Sequence, residues 1–510
     1  MQNLEENKIK QPDQLVNDAP TGTGVNSSAN KVYLSVVGAC FLLLTVVFVF
    51  FPRTRYSELE KRDLADFPSS ELFFDDPASF TAAISQWFSD SEPYRDEFMT
   101  LSMYIRDALK FRTGNADEAI TFIPAVEQPV AATPEKDSVN DPDTTRTVAD
   151  ENAKIANAGI IVLGSDENVR ALMAFGGTPS SAMPFVNMVN RYAAEFPGIR
   201  VYAMPIPTAT EFYLPEKVSK ASRPQKPVID QVASGVGAGR FVDAYSALSA
   251  HTDQNIYLRT DHHWAPLGAY YAAKALAATA GVPFRDLGNY TEKTVHRFVG
   301  SMYGYSKDVS VKNAPEDFVY YVPNGLAYKT TFISFNLDKN FKITSASKPY
   351  DGQFFRHYKD GSGAAYNTFM GGDSHIVKIK TGTPGTRRLL IIKDSYGNPV
   401  PSFLFYSFGE IHIVDFRYFN DNMKDYVSRN NITDIVMAFN VFNVCTSSVA
   451  RKVANFLTQT PGDYAQSMPV SENDSVPDVK TTEAETVSGN TPEIETEATN
   501  AEPDNKGPEN

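Results

Sequence analysis

Apolar and polar positions along this chain fall into three patterns, each marking a different kind of segment. Val32 to Phe51 is a run of twenty residues without a charge. As a helix it spans about 30 Å, the thickness of a bilayer's hydrocarbon core. It shows no polar stripe of the kind that a helix lying on a protein core carries, and no small-x-small site closes it as in a cleaved signal peptide. The expectation is a single N-terminal transmembrane helix over 32–51, preceded by a polar segment, 1–31. From 52 to 123 the period is helical. Phe80, Ile84, Trp87 and Phe88 recur at that spacing, as do Phe98, Leu101, Ile105 and Leu109, predicting a helical membrane-proximal region. Residues 124–154 hold Pro124, Pro129, Pro134 and Pro142 among Glu, Asp, Thr and Ser, the composition of a flexible insertion.

From 155 onward short apolar runs alternate with longer stretches. Gly159–Gly164, Ile199–Met204, Leu389–Ile392, Glu410–Asp415 and Asp434–Phe439 read as strands, and Pro184–Phe196 as a helix. The last three strands are separated by about ten to twenty residues, room for crossover helices. Residues 155–461 are therefore expected as one α/β domain, a parallel sheet with helices on both faces. Residues 462–510 are expected as a disordered acidic tail.

Charge narrows the partners. The net charge is −14, and residues 471–510 alone carry eleven Asp and Glu against two Lys. Nucleic acid is excluded as a partner, since phosphate binding needs a basic footprint. The two cysteines, Cys40 and Cys445, are too few for a disulfide framework or a Cys-rich metal site. Lys8, Lys10 and Lys31 before the apolar run, against Arg53, Arg55, Lys61 and Arg62 after it, leave the orientation in the membrane undecided.

Two segments carry chemistry. In Arg259-Thr-Asp-His-His-Trp-Ala-Pro266, Pro266 suits the first turn of a helix, which puts the Asp-His-His-Trp on the loop entering it. In an extended loop residues i and i+2 face the same way, so Asp261 is placed to accept from the imidazole of His263 and fix its tautomer. The plainer alternative is a capping Asp beside two packing histidines, but histidine is scarce here, seven in 510 residues. Adjacent histidines are expected to point apart, and no second carboxylate or histidine pair completes a metal ligand set, so no metal and no cofactor are expected. In Arg387-Arg-Leu-Leu-Ile-Ile-Lys-Asp-Ser-Tyr-Gly-Asn-Pro399, Ser395 follows a buried strand at its C-terminal end, where open α/β sheets bind their ligands, and Pro399 marks the start of the next helix. Asp394 and Ser395 as simple helix caps are the alternative. Taken together the segments supply Asp, His and Ser, a set recognised by geometry and not by order along the chain.

Both segments resemble the hallmarks of the DHHW family, which is similar to the SGNH-like alginate O-acetyltransferases. The hallmarks are Thr260-Asp-His-His-Trp-Ala-Pro-Leu-Gly-Ala269 and Ile392-Lys-Asp-Ser-Tyr-Gly-Asn-Pro399. The resemblance extends to Tyr56–Pro68, to Pro205-Ile-Pro-Thr208 with Glu211-Phe-Tyr213, and to Gly371-Gly-Asp373, covering roughly 50–450. It implies an SGNH-like three-layer α/β/α fold in permuted motif order, with Ser395 as nucleophile, His263 as base and Asp261 orienting it. His262 falls at the variable position and is expected to point away from the site. The resemblance also implies an extracytoplasmic catalytic domain, with 1–31 as a cytoplasmic segment, that takes acyl groups from a multi-span membrane partner. The expected function is thus acyl transfer, acetyl foremost, to a polysaccharide or cell-wall glycan. The alternatives are an esterase using the same triad and a non-catalytic glycan-binding envelope protein. For the oxyanion, the Ser395 N–H is the first expected donor and Gly372 the second, because paired glycines let backbone approach a ligand closely. Arg417 is a candidate for charged sugar groups, against the alternative of a surface salt bridge.

Overall fold

The computed structural model describes residues 27–51, 53, 56–57, 62–109, 120–123, 159–164, 167–237, 240–338 and 342–469. The expected insertion at 124–154 lies outside the described residues, as do 1–26 and 470–510.

Helices of eight or more described residues are α1 (Ser27–Phe50), α2 (Pro77–Asp90), α3 (Arg95–Leu109), α4 (Met183–Glu195), α5 (Lys226–Val236), α6 (Pro266–Ala280) and α7 (Ser447–Asn455). The central sheet contains β1 (Arg200–Ile206), β2 (Tyr328–Leu337), β3 (Ile343–Ala346), β4 (Tyr350–Gly352), β5 (His375–Thr381), β6 (Arg388–Lys393), β7 (Glu410–Asp415) and β8 (Asp434–Asn440). Its order is β3-β2-β5-β7-β6-β8-β1, with β4 also on β2.

The sheet corrects the expected all-parallel arrangement. β7, β6, β8 and β1 run parallel, but β5 pairs antiparallel with both β7 and β2, so the sheet is mixed. The physical reason is legible in burial. β8 is buried at every position and β6 at all but its first, giving the continuous apolar runs that parallel strands show. β2 alternates between buried and half-exposed residues and offers no such run.

Side chains of the parallel strands alternate between two apolar cores. Tyr202, Met204, Leu389, Ile391, Ile411, Ile413, Val436 and Ala438 pack with α6 on one face. Val201, Ala203, Leu390, Ile392, Val414, Ile435 and Met437 pack with α4, α5 and α7 on the other. Helices therefore cover both faces, as the alternation of strand and crossover predicts. The expected strand at 159–164 forms (Ile160–Leu163), but it sits in a separate three-stranded antiparallel sheet with Ile120–Ile123 and Arg170–Met173.

Three further expectations meet different outcomes. The helix expected to start at Pro399 is replaced by 3-10 turns, Ser395–Gly397 and Val400–Phe403. The tail was expected to be disordered from 462, but the chain stays packed to 469. Met468 is buried in the second core, and the Lys378 ammonium donates to the Pro469 carbonyl at 2.8 Å. Of the expected helical region 52–123, the described residues form Ser70–Asp75, α2 and α3 as helices and Tyr56–Ser57, Arg62–Asp63 and Ile120–Ile123 as strands, and Phe88, Phe98, Leu101 and Ile105 on α2 and α3 are exposed.

α1 takes in nearly all of the Val32–Phe51 run, and its apolar side chains Val32, Leu34, Val36, Phe41, Leu42 and Leu43 are exposed. The side chains of Leu44, Val47, Phe48 and Val49 lie outside the described residues. Among the described residues no helix is long and apolar enough to cross a membrane.

Candidate functional site

Both chemistry-bearing loops meet at the C-terminal edge of the parallel strands. Ser395 follows β6 directly, and its turn is built by Asp394, whose Oδ1 accepts from the Tyr396 N–H at 3.0 Å. Asp394 Oδ2 accepts from the Asn440 N–H at 2.8 Å and from Asn443 Nδ2 at 2.7 Å, tying the serine turn to the end of β8. Burial pushes the Asp394 carboxyl up to about 6, against the pull of the three donors.

The Asp-His-His-Trp loop enters α6 at Pro266, as its sequence predicts, with Ala265 at the N-cap. Glu316 fixes the start of this loop. It accepts from the Arg259 N–H, the Thr260 N–H and the Thr260 hydroxyl. Trp264 fixes its end, donating from Nε1 to the Tyr396 carbonyl at 2.8 Å. Through that bond the two loops hold each other, so histidine and serine are positioned by shared contacts and not by either loop alone.

The resulting geometry is a continuous hydrogen-bonded relay. Asp261 Oδ1 lies 2.6 Å from His263 Nδ1 and also accepts the His263 backbone N–H at 3.0 Å. His263 Nε2 lies 2.8 Å from Ser395 Oγ. Asp261 Oδ2 accepts from the Ser301 N–H at 2.8 Å. Burial would raise the Asp261 carboxyl, but the two histidines and these donors outweigh it and hold it well below the usual carboxylate range. The carboxylate is thus ionised at any working pH, as an orienting and imidazolium-stabilising group must be. Asp261 and His263 are buried, while Ser395 is partly exposed and open to a substrate.

Several contributors carried no signal in spacing or composition. Tyr366 stacks flat on His263, with ring centroids 3.8 Å apart and planes 7° from parallel, and donates its hydroxyl to the Ser395 carbonyl at 3.0 Å. Ser301 and Glu316 come from segments that read as neither motif. Gly300 leaves room for Asp261: a Cβ there would lie 2.3 Å from the Asp261 Cβ, so any side chain displaces the carboxylate.

His262 corrects its expectation. Its ring does not point away: the centroids of His262 and His263 are 3.7 Å apart and the rings are tilted by 38°. The cause is Ser301, whose Oγ lies 2.6 Å from His262 Nδ1 and holds the ring against the site wall. Burial and the neighbouring His263 pull its pKa down to about 3, outweighing Asp261 and Asp373.

Asp261, His262 and His263 bring three metal-ligating groups within 4.8 Å of one another. Both Asp261 oxygens, both His263 nitrogens and His262 Nδ1 already hold hydrogen-bond partners within the chain. Only His262 Nε2 is left, short of the four ligands of a tetrahedral zinc site.

Of the two expected oxyanion donors, Ser395 lies in the turn after β6, and Gly372 precedes Asp373, whose carboxylate bonds to that turn. Among the described residues the Ser395 N–H has no hydrogen-bond partner. Gly372 N–H makes only a long 3.5 Å contact with the Phe369 carbonyl. Gly371 and Gly372 have φ of +80° and +123°, backbone that glycine adopts without strain. A Cβ on Gly371 would meet the Arg356 guanidinium at 2.2 Å. The glycine pair thus answers to backbone conformation and to Arg356. The next residue, Asp373, reaches the serine turn, its Oδ1 accepting from Asn398 Nδ2 at 2.8 Å.

Arg417 is no surface salt bridge. Its Nη2 lies 2.7 Å from Asp373 and 2.8 Å from Asp415, and its Nε donates to Asp415 at 2.8 Å. Lys393 completes this cluster, 2.8 Å from each carboxylate. Burial would weaken the guanidinium's hold on its proton, but Asp415 and Asp373 outweigh it and raise the Arg417 pKa well above its usual value. Among the described residues Nη1 alone of the guanidinium nitrogens has no partner.

Comparison with known proteins agrees with the two motifs. The family model described as DHHW protein matches residues 113–414. A crystal structure of a DHHW family protein from Eubacterium siraeum is 35% identical, covers 58% of this chain and 95% of its own, and superposes with a TM-score of 0.51. PatB1 of Bacillus cereus, solved with a sulfonyl adduct, is 16% identical over 56% of this chain and 95% of its own, with a TM-score of 0.43. The O-acetyltransferase domain of Pseudomonas putida AlgJ is 12% identical over 58% of this chain and 98% of its own, with a TM-score of 0.32. No curated protein matches the sequence.

Proposed function

The chain belongs to the DHHW family, and on that premise we propose that it is a serine acyltransferase that places acyl groups, acetyl foremost, on an extracytoplasmic polysaccharide or cell-wall glycan. One observation carries the reading: the unbroken relay from Asp261 through His263 to Ser395, with contacts of 2.6 and 2.8 Å, on the edge of an α/β sheet where ligands bind. The helices on both faces support an SGNH-like three-layer fold with its motifs in permuted order, as the resemblance of the two segments implies.

In the first half-reaction His263 Nε2 takes the Ser395 hydroxyl proton as Oγ attacks the acyl carbonyl, and the imidazolium then protonates the leaving group. The Ser395 N–H faces the oxyanion, with the Gly372 N–H as second donor. In the second half a sugar hydroxyl gives its proton to His263 and attacks the acyl-serine carbonyl. The C–Oγ bond breaks, and the proton returns to Ser395.

The test is partition. The protein is given an activated acetyl ester and a glycan acceptor, and acetylated glycan is measured against free acetate. Glycan acetate in excess is the expected result; acetate alone makes the protein an esterase, and no Ser395-dependent release leaves only glycan binding.

The uncharged run Val32–Phe51 is the basis for reading a single-pass anchor, with residues 52–510 outside the cytoplasm. The natural acyl donor is then a multi-span membrane protein. Protease added to intact cells or spheroplasts is expected to digest the large domain, and full protection would refute the topology. Arg417 Nη1 is the group left to meet a charged sugar. Arg417→Ala is then expected to raise KM on a uronate polymer but not on a neutral one; equal effects on both would make the residue purely structural.

A further inference from the structure

We propose that His262 and Tyr305 form the acceptor subsite, Tyr305 stacking on a pyranose ring while His262 Nε2 accepts from a sugar hydroxyl beside the one that attacks the acyl-serine. The inference rests on the reading of Ser395 as nucleophile and extends it from the acyl group to the sugar.

The relay described above uses Asp261, His263 and Ser395 and leaves His262 unemployed, although its ring lies 3.7 Å from that of the base. Its orientation is fixed from three sides. Ser301 Oγ holds Nδ1 at 2.6 Å, Tyr396 donates its hydroxyl to the His262 carbonyl, and Ser301 is itself anchored to Asp261 Oδ2 at 2.8 Å. A ring locked this firmly presents its other nitrogen in one direction. Among the described residues Nε2 has no partner, and it is not one of the sealed, unpaired polar atoms. The side chain is 24% exposed. Either tautomer pairs Nδ1 with Ser301 Oγ; with the proton on Nδ1, Nε2 is a lone-pair acceptor, the counterpart of a sugar hydroxyl. The depressed pKa of about 3 keeps the imidazole neutral and that lone pair available across the neutral range.

Tyr305 supplies the second half of the subsite. It lies on the short helix Met302–Ser306, which begins next to Ser301, so one segment anchors Asp261, orients His262 and presents an aromatic ring. The Tyr305 ring centroid is 5.7 Å from that of His262, and the residue is 54% exposed. An aromatic face open to solvent beside an unpaired acceptor suits a pyranose, which offers an apolar C–H face and hydroxyl donors together. The subsite thus selects a carbohydrate acceptor over water. In the step it serves, the hydroxyl beside the one that His262 holds loses its proton to His263 Nε2 and its oxygen bonds to the acyl carbon. The Ser395 Oγ–acyl bond breaks, and Ser395 recovers the proton.

His262→Ala and Tyr305→Ala are assayed on the full chain with p-nitrophenyl acetate as donor. Soluble oligomers of N-acetylglucosamine, xylose and uronate are the acceptor probes. The p-nitrophenol burst reports acylation and needs no acceptor, so it is the internal reference. The expected result is that the ratio of glycan acetate to free acetate, normalised to the burst, falls about tenfold or more in each variant, the loss of one hydrogen bond or one stacked ring. KM for the oligosaccharide is expected to rise. Tyr305 is exposed, so its variant keeps the test alive if His262→Ala disturbs the Asp261 loop. A wild type that transfers to an oligosaccharide, with a ratio unchanged in both variants, overturns the subsite. A wild type with no Ser395-dependent burst is a different failure, that of the nucleophile itself.

Discussion

Ser395→Ala is expected to abolish both the burst and the turnover on an activated acetyl ester, lowering kcat by about 10⁶, as removal of a nucleophilic serine does elsewhere. The size follows from the 2.8 Å contact between Oγ and His263 Nε2: without the oxygen there is no covalent intermediate, and the base has no proton to take. Stability is expected to change little, by about 1 kcal/mol or less, because the hydroxyl is partly exposed and only one hydrogen bond is lost. Chemical denaturation paired with burst kinetics checks both halves. A variant that keeps its burst would mean that another group is acylated.

The second large effect is expected at Asp261. Asp261→Asn replaces an acceptor-only carboxylate with a group carrying an N–H₂. Oδ1 now accepts both the backbone N–H and the Nδ1 side of His263, while Oδ2 accepts from Ser301. Whichever way the amide turns, one donor faces another donor. If the amide nitrogen faces His263, the imidazole is driven to the tautomer that cannot accept the Ser395 proton, for which a loss of about 10⁴ in kcat is the precedent. Stability has a pH signature of known sign. The carboxyl is depressed in the folded state, so the unfolded chain binds its proton more readily. Its contribution is present above the unfolded value, about 3.9, and is lost as pH falls below it toward the lower folded value. The stability gap between wild type and Asp261→Asn is therefore expected to be full at pH 7 and to shrink below about pH 4. A gap that grew on acidification would contradict the ionised orienting carboxylate.

How much of this was legible depended on whether a feature is local. The i to i+2 relation of Asp261 and His263 needs only an extended loop, and Pro266 fixes where that loop ends. The buried run Leu389–Ile392 specifies its own strand, and the serine after it falls at the strand's C-terminal end. The half-exposed strands of the antiparallel side had no such signature, which is why the sheet was expected as wholly parallel. Tyr366, Ser301, Gly300 and Glu316 were invisible for another reason: each acts on a residue 29 to 56 positions away, and nothing in its neighbours announces the partner.

By itself, the sequence determined the candidate chemistry of this protein: an Asp, a His and a Ser, each at a loop whose local geometry suits a place in a triad. Only the tertiary structure decided that the three meet, that Arg417 is bound into an ion cluster with Asp373 and Asp415, and that His262 lines the site. The reason is that local propensity sets a residue's backbone, and a side chain's surroundings are set by chain segments brought close through packing. His262 shows the difference: its position beside His263 comes from a hydroxyl 39 residues further along the chain.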